Sequence, residues 1–339
     1  MKFKLLYTLF LSSVFIVNCT YADDYKAKLA LIAPTIDGNE NDVCWNTAPW
    51  SPINQVWDPQ NATAGTAADF TGHYKAVWTS DKLYVLMRIT DDKLTFWNEN
   101  KDPLVNYYKT DCPELFIDEN HSKGNHQCNY NAFAYHISMI YKVVDSDVNC
   151  NSQLFNDVLT GARVKIGNTY YWEFAINVYT DAYKLGASNN PKATLYEGKI
   201  MGFSAAYNDS DDSWERERMY GSQVISPPDP TYGTNVSYIN ANYFGTMELV
   251  AADITTSFEV NETLPAGINI YPNPASDRIF IESKDVYKIL MSDLTGNIIY
   301  QNLNPLEHDV IDLTIFKPGI YSLIIQTEKI SVNRKVMVK

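Results

Sequence analysis

Between Ile36 and Val250 the apolar positions fall in short β-branched and aromatic runs, cut at regular intervals by Gly, Asn, Asp and Pro. No helical period of useful length interrupts them, and period-two alternation is the mark of strands, whose successive side chains point to opposite faces. The runs His73 to Trp78 and Leu83 to Thr90, parted at Ser80-Asp81, predict one hairpin. A second is predicted by Arg163 to Ile166 and Thr169 to Val178 around Gly167-Asn168, with Tyr170, Trp172, Phe174 and Ile176 on one face. Ala182 to Leu185 suits a turn, and no repeat of about 20 to 50 residues appears. The pattern predicts an all-β chain.

The stretch Thr110 to Asn120 gives the pattern its chemistry. As a strand it sets Glu114, Phe116 and Asp118 on one face and Leu115 and Ile117 on the other. The second face is expected to be buried and the first to present acid and aromatic groups. Four residues at about 3.3 Å each separate the two acids by roughly 13 Å, beyond the roughly 5 to 9.5 Å of two-carboxylate glycoside hydrolysis. Within this strand the acids therefore read as ligand or cation contacts, and a partner acid from another strand, such as Glu173, stays open.

Composition narrows the classes. The chain has 339 residues, 45% of them hydrophobic and 24 of them tyrosine, so folded material in about two domains is expected. A net charge of −13 argues against nucleic acid as a partner, which needs clustered Lys and Arg. Lys2 and Lys4 before the apolar run Leu5 to Val17, then Thr20-Tyr21-Ala22, give residues 1–22 the layout of a secretory signal peptide. The run is short for a membrane span and no later segment approaches one. A lipoprotein reading of Cys19 meets a bulky Asn18 where Gly or Ala is usual.

Export leaves Cys44, Cys112, Cys128 and Cys150 as disulfide candidates, with three pairings open and two bridges expected. No C-x₂-C pair favours zinc. His121 and His126, around Lys123-Gly124, read as solvated loop histidines. Asn208-Asp209-Ser210-Asp211-Asp212 clusters hard oxygen donors, so Asp209 and Asp211 are candidate calcium ligands, and Asp91-Asp92 is a weaker candidate. The loop is not an EF-hand, since Trp214 and Tyr220 stand where Gly and Glu are required. Gly202-Phe203-Ser204-Ala205-Ala206 lacks the second Gly of a nucleophile elbow, and no phosphate loop, dinucleotide fingerprint or H-E-x-x-H occurs.

Six elements occur in order: Ile36-Asp37-Gly38 with Trp45, Ala76-Val77-Trp78 leading to Asp81-Lys82-Leu83-Tyr84-Val85, Asp111-x-x-Glu114-x-x-x-Asp118, Tyr171-Trp172-Glu173-x-Ala175-Ile176, Gly202-Phe203 before Asn208-Asp209, and Phe244-Gly245-x-x-Glu248-Leu249. Together they resemble family 9 carbohydrate-binding modules over residues 33–250. The resemblance implies a β-sandwich that holds sugar units between two aromatic rings, with polar groups on the hydroxyls and calcium supporting loops. It places the rings at Tyr108, with Tyr107 as its neighbour and rival, and Tyr238, the sugar-binding acid at Glu114 and a sugar-contacting amide at Asn235. The family's arginine on the strand after the acid has no counterpart between Tyr130 and Ile140.

Residues 251–266 read as a polar linker. Beyond it, Tyr271-Pro272-Asn273-Pro274-Ala275, Asp293-Leu294-Thr295-Gly296, Pro318-Gly319-Ile320-Tyr321 and the basic end Arg334 to Lys339 resemble the type A sorting domain of the type IX secretion system, over 267–339. That resemblance implies a small β-sandwich read by the type IX secretion machinery, and secretion or surface attachment on a Gram-negative bacterium. The leading expectation is an exported, non-catalytic binder of polysaccharide or oligosaccharide, in polysaccharide utilisation. Its rivals are a glycoside hydrolase-associated enzyme using Glu114 and Glu173, a haem-binding sandwich using Met87, His136 and Met139, and a surface adhesin that has lost the sugar site.

Overall fold

The computed structural model describes residues 25–58, 66–67, 69–95, 104–211, 215–252, 267–293, 296–327 and 331–339. The expected signal peptide and all but the first two residues of the expected linker lie outside them. The first fifteen elements are β1 (Tyr25–Leu29), α1 (Val43–Thr47), β2 (Ser51–Ile53), β3 (Gln55–Asp58), β4 (Phe70–Trp78), β5 (Leu83–Asp91), β6 (Cys112–Asp118), β7 (Phe133–Ile137), β8 (Val143–Ser146), β9 (Ser152–Leu154), β10 (Leu159–Ile166), β11 (Thr169–Ile176), β12 (Ile200–Asp209), β13 (Arg218–Gly221) and β14 (Gly245–Val250). They form one curled sheet in the order β10-β11-β5-β4-β1-β14-β12-β6-β7-β8-β9, with β2 on β4, β13 on β12 and β3 on β13.

β1 makes the curl. It pairs in parallel with β14 on one side and β4 on the other, so the two halves of the sheet fold face to face as a β-sandwich. Leu83, Val85, Met87, Trp172 and Phe174 from one half meet Leu115, Tyr135, Phe203 and Tyr207 from the other in a single core. Each such side chain contributes about 1.5–3 kcal/mol on full burial, which makes this inner face the main determinant of strand register. Both predicted hairpins form. β4 and β5 run in register from Phe70 opposite Asp91 to Trp78 opposite Leu83, and β10 turns into β11 through Gly167 at φ 64°, a conformation that glycine adopts without a Cβ clash.

Three features depart from the sequence reading. All seven positions of β6 are buried, so its acid face is no open surface. Trp57 and Phe244, from remote segments, pack on Phe116 and roof that face over. The short helix α1 lays Trp45 on the outer face of β4, β5 and β11, where its indole donates to Glu173. One disulfide joins Cys128 to Cys150, whereas Cys44 and Cys112 are free thiols. Two bridges were expected; Cys112 instead points into the β6–β12 interior against the Asn208 amide, and Cys44 belongs to α1 in the outer layer.

The chain ends in β15 (Ile268–Tyr271), β16 (Arg278–Ser283), β17 (Val286–Ser292), β18 (Ile298–Asn302), β19 (His308–Asp312), β20 (Gly319–Thr327) and β21 (Ser331–Val338). Strands β15-β16-β19 and β18-β17-β20-β21 make two sheets around Ile279, Ile281, Ile289, Leu323, Ile325 and Val336. Among the described residues no helix is long and apolar enough to cross a membrane.

Candidate functional site

The chemistry collects where β6 lies between β7 and β12. Glu114 sits opposite His136 on β7 and Ala206 on β12, and Asn208 lies one pair further along the same face of β12. Glu114 Oε1 accepts from Asn208 Nδ2 at 2.5 Å and stands 3.1 Å from His136 Nε2. Arg216, between β12 and β13, donates from Nη1 to Asn208 Oδ1 at 3.2 Å and from Nη2 to the Asp58 carboxylate at the end of β3. Asp58 Oδ2 also accepts from Asn235 Nδ2 at 3.0 Å. One polar chain thus runs His136, Glu114, Asn208, Arg216, Asp58, Asn235.

Exposed rings flank that chain. Tyr108 is 40% and Tyr238 38% exposed, although most aromatic side chains of the sandwich are buried. The Arg216 guanidinium lies 5.9 Å from the Tyr108 ring. Burial raises the Tyr238 phenol above its ordinary pKa, Tyr232 adds to the rise, and Arg216 opposes it, which places Tyr238 in the field of the same guanidinium. Tyr107 is more enclosed: its hydroxyl is held by Ser152 at 3.3 Å and its ring edge meets His136 at 4.8 Å. Of the two neighbours, Tyr108 therefore presents its ring outward.

Two atoms of the chain lack partners among the described residues, Glu114 Oε2 and Arg216 Nε, and both are buried. Buried polar atoms are nearly always paired, so beside the two exposed rings this acceptor and this donor are each left able to take a further partner, one that donates and one that accepts. A hydroxyl does both. Burial lowers the His136 pKa, but the Glu114 carboxylate outweighs it by charge and hydrogen bond, so the net shift is upward. Burial pushes Asp145, behind His136, up to about 7.

The expected residues Tyr108, Glu114, Asn235 and Tyr238 are therefore brought together. Arg216, Asp58 and Asn208 were not singled out for this role. The strand after the acid carries no arginine between Tyr130 and Ile140 and sets His136 opposite Glu114, whereas Arg216 reaches Asn208 on the β12 side of Glu114. Asp118 takes no part in the site: its carboxylate accepts from the backbone of Ser122 and Lys123 and caps the turn after β6.

Neither rival constellation assembles. Glu173, on β11 in the other half of the sandwich, has its carboxylate engaged by Trp45 Nε1 and the amides of Asp37 and Gly38, each at 2.9 Å. Met87 and Met139 face the apolar core, whereas His136 turns to the opposite side of β7, toward Glu114.

Next to the polar chain, at the ends of β5 and β12, carboxylates accumulate. Ligand oxygens of Asp91, Asp209 and Asp211 lie within 4.8 Å of one another, and Asp69 joins Asp209 with Glu217, or Asp92 with Asp211, at the same spacing. Arg218 reaches Asp69 at 3.1 Å and Asp209 at 3.9 Å. Asp91 Oδ2, Asp209 Oδ2 and Asp211 Oδ1 are nevertheless buried without a hydrogen-bond partner among the described residues. Burial, and then repulsion from Asp91 and Asp69, push Asp209 up to about 8, and Asp91 and Asp111 are shifted upward as well. An all-oxygen, carboxylate-rich set of this kind fits a hard divalent cation such as calcium.

Comparison with known proteins shows the family of each part of the chain. The family described as carbohydrate family 9 binding domain-like matches residues 36–252, and the secretion system C-terminal sorting domain matches 269–339. Endo-1,4-beta-xylanase A of Thermotoga neapolitana is 26% identical over 221 residues, which cover 64% of this chain and 17% of that relative's length. A family 9 carbohydrate binding module from Caldicellulosiruptor kristjanssonii, solved with cellotriose, is 19% identical, with a TM-score of 0.47 over 72% of this chain and 98% of that one. A putative carbohydrate-binding protein from Bacteroides uniformis is 10% identical, with a TM-score of 0.46 over 67% of this chain and 99% of that one. The chain belongs to the carbohydrate family 9 binding domain-like family, and it carries a secretion-system sorting domain at its C-terminus.

Proposed function

We propose that the sandwich is a non-catalytic carbohydrate-binding module that holds sugar units between Tyr108 and Tyr238, with Glu114 Oε2 accepting from, and Arg216 donating to, their hydroxyls. The observation that carries this reading is the pair of unpartnered buried atoms, one acceptor and one donor, on a polar chain flanked by two exposed rings. Aromatic faces meet the C–H surface of a sugar, and the phenol adds a polar contact. Calcium, held by Asp91, Asp209 and Asp211 with Asp69 and Glu217 close by, fixes the loop that delivers Arg216. The ion supplies charge balance, and the sugar contacts belong to the protein side chains.

The sorting domain takes the module to the surface or medium of a Gram-negative bacterium through the type IX machinery, where it serves polysaccharide utilisation. Deleting residues 268–339 is expected to retain the protein in the periplasm. Export of the truncated protein in normal amounts would overturn the sorting role.

Calorimetric titration of residues 23–252 with cellotriose and xylotriose, backed by a glycan array, tests the module. A contact of two sugar units, about 23 heavy atoms at roughly 0.3 kcal/mol each, predicts an affinity no tighter than about micromolar. Absence of binding to any glycan on the array would overturn the reading.

A further inference from the structure

We propose that His126 and the Cys128–Cys150 bridge are positioning residues that hold the two tyrosine walls of the sugar site at a fixed separation. The proposal rests on the carbohydrate-binding reading above and adds to it a brace that touches no sugar.

The brace begins behind Tyr238. His126 is 4% exposed, so the expected solvated histidine is in fact buried. Its ring Nε2–H donates to the carbonyl of Ser237 at 2.8 Å, and its backbone N–H donates to the carbonyl of Ile239 at 2.8 Å. Tyr238 lies between those two carbonyls, and one residue therefore grips the backbone on both sides of the ring. Gly124 extends the grip: its carbonyl accepts from Ala241 at 2.8 Å and its amide donates to Asn242 Oδ1 at 3.0 Å. The segment carrying Tyr238 is in effect clipped to the segment 124–126.

Two residues after His126 the chain reaches Cys128, and the disulfide crosses to Cys150. Cys150 closes a turn in which Asp147 N donates to the Asn151 carbonyl at 2.8 Å. Ser152 follows and donates to the Tyr107 hydroxyl at 3.3 Å, and Tyr107 packs edge-on to Tyr108 at 5.4 Å between ring centres. A continuous path thus joins one wall to the other without passing through the sandwich core. Cys128 and Cys150 adopt φ of 61° and 63°, a left-handed conformation that residues with a Cβ seldom hold unless their surroundings impose it. Neither half-cystine belongs to an apolar core cluster, so cutting the bridge opens no cavity.

The test compares the parent with C128S/C150S in the full chain. The double variant is expected to keep its near-ultraviolet dichroism, to bind cellotriose at least about tenfold more weakly, and to exchange the amides of 237–241 faster in the absence of sugar. Because the brace acts through Tyr238, removing it in a Tyr238→Ala background is expected to cost little more, a non-additivity that a general loss of stability would not produce. His126→Phe is expected to reproduce the loss and His126→Gln, which restores a donor toward Ser237, to rescue it. Parent-like affinity and unchanged exchange in C128S/C150S would overturn the proposal, as would full additivity with Tyr238→Ala. Faster exchange without any glycan binding by the parent would instead sink the sugar reading, and the positioning role with it.

Discussion

Two buried polar regions share β12 and differ in what they lack. Around Glu114 each carboxylate of the polar chain faces a basic group, His136 against Glu114 and Arg216 against Asp58, and among the described residues of that chain one acceptor and one donor are left open. Around Asp209 the carboxylates outnumber the one guanidinium that reaches them, and three oxygens are left open. Burying unbalanced charge is costly unless a counter-charge or a proton arrives. A balanced network with a few unmet hydrogen bonds suits a neutral, hydroxyl-rich ligand, and an unbalanced one suits a cation. The two regions thus differ in the kind of partner they lack, although they lie a few residues apart on one strand.

Opposite responses to the same chemical change would sharpen this contrast most. Glu114→Gln sets an amide against the Asn208 amide and removes the open acceptor. It is expected to cost about 2–3 kcal/mol of sugar binding, roughly a hundredfold, and to leave the calcium response intact. Asp209→Asn removes a buried carboxyl group that folding pushes up to about 8, so it is expected to raise the melting temperature of the calcium-free protein at neutral pH and to weaken its response to calcium. Matching effects of the two substitutions in calorimetry would break the comparison.

Calcium itself should act next most strongly. At a hundred times its dissociation constant a ligand specific for the native state adds about 2.7 kcal/mol, which for a domain of this size is of order 5–10 °C. The pH dependence has a defined sign. The folded protein holds a proton on Asp209 up to about pH 8, whereas the unfolded chain releases it near 3.8. Between those values the native state binds more protons than the unfolded one, so this group makes calcium-free stability fall as pH rises. Scanning calorimetry in chelator is expected to show that decline, and added calcium to flatten it. Identical pH profiles with and without calcium would remove the metal from the account.

Arg216→Lys tests the balanced region more gently. A lysine keeps the charge but cannot donate to Asn208 and Asp58 in the fork that the guanidinium uses. The expected loss is about tenfold in affinity, with the melting temperature in saturating calcium changed little. Unchanged sugar affinity would mean that Arg216 only organises the loop.

Legibility in the sequence followed distance along the chain. β4–β5 and β10–β11 were readable because alternation and turn residues are local, and so was the acid loop at Asp209 and Asp211. Its companions Asp69 and Asp91 come from other segments, and no local pattern ties them to it. Glu114 was identified, but the burial of β6 was not, because the roof is Trp57 and Phe244. Asp58 and Arg216 escaped notice because each has meaning only beside the other. A closer look at Glu215-Arg216-Glu217-Arg218 could have raised the question, since two arginines next to an acid loop are conspicuous in a chain of net charge −13. His126 looked solvated because its neighbours Asn125 and Gln127 are polar, yet its burial comes from a segment more than a hundred residues on.

The central claim, that sugar lies between Tyr108 and Tyr238 above Glu114 and Arg216, is tested most directly by titrating cellotriose into the parent, Tyr108→Ala and Tyr238→Ala. Each ring contact contributes of order 1 kcal/mol beyond burial, so the account predicts at least about a tenfold weaker affinity in each variant with the fold intact. Parent-like binding by both variants would contradict it and place the site on another face.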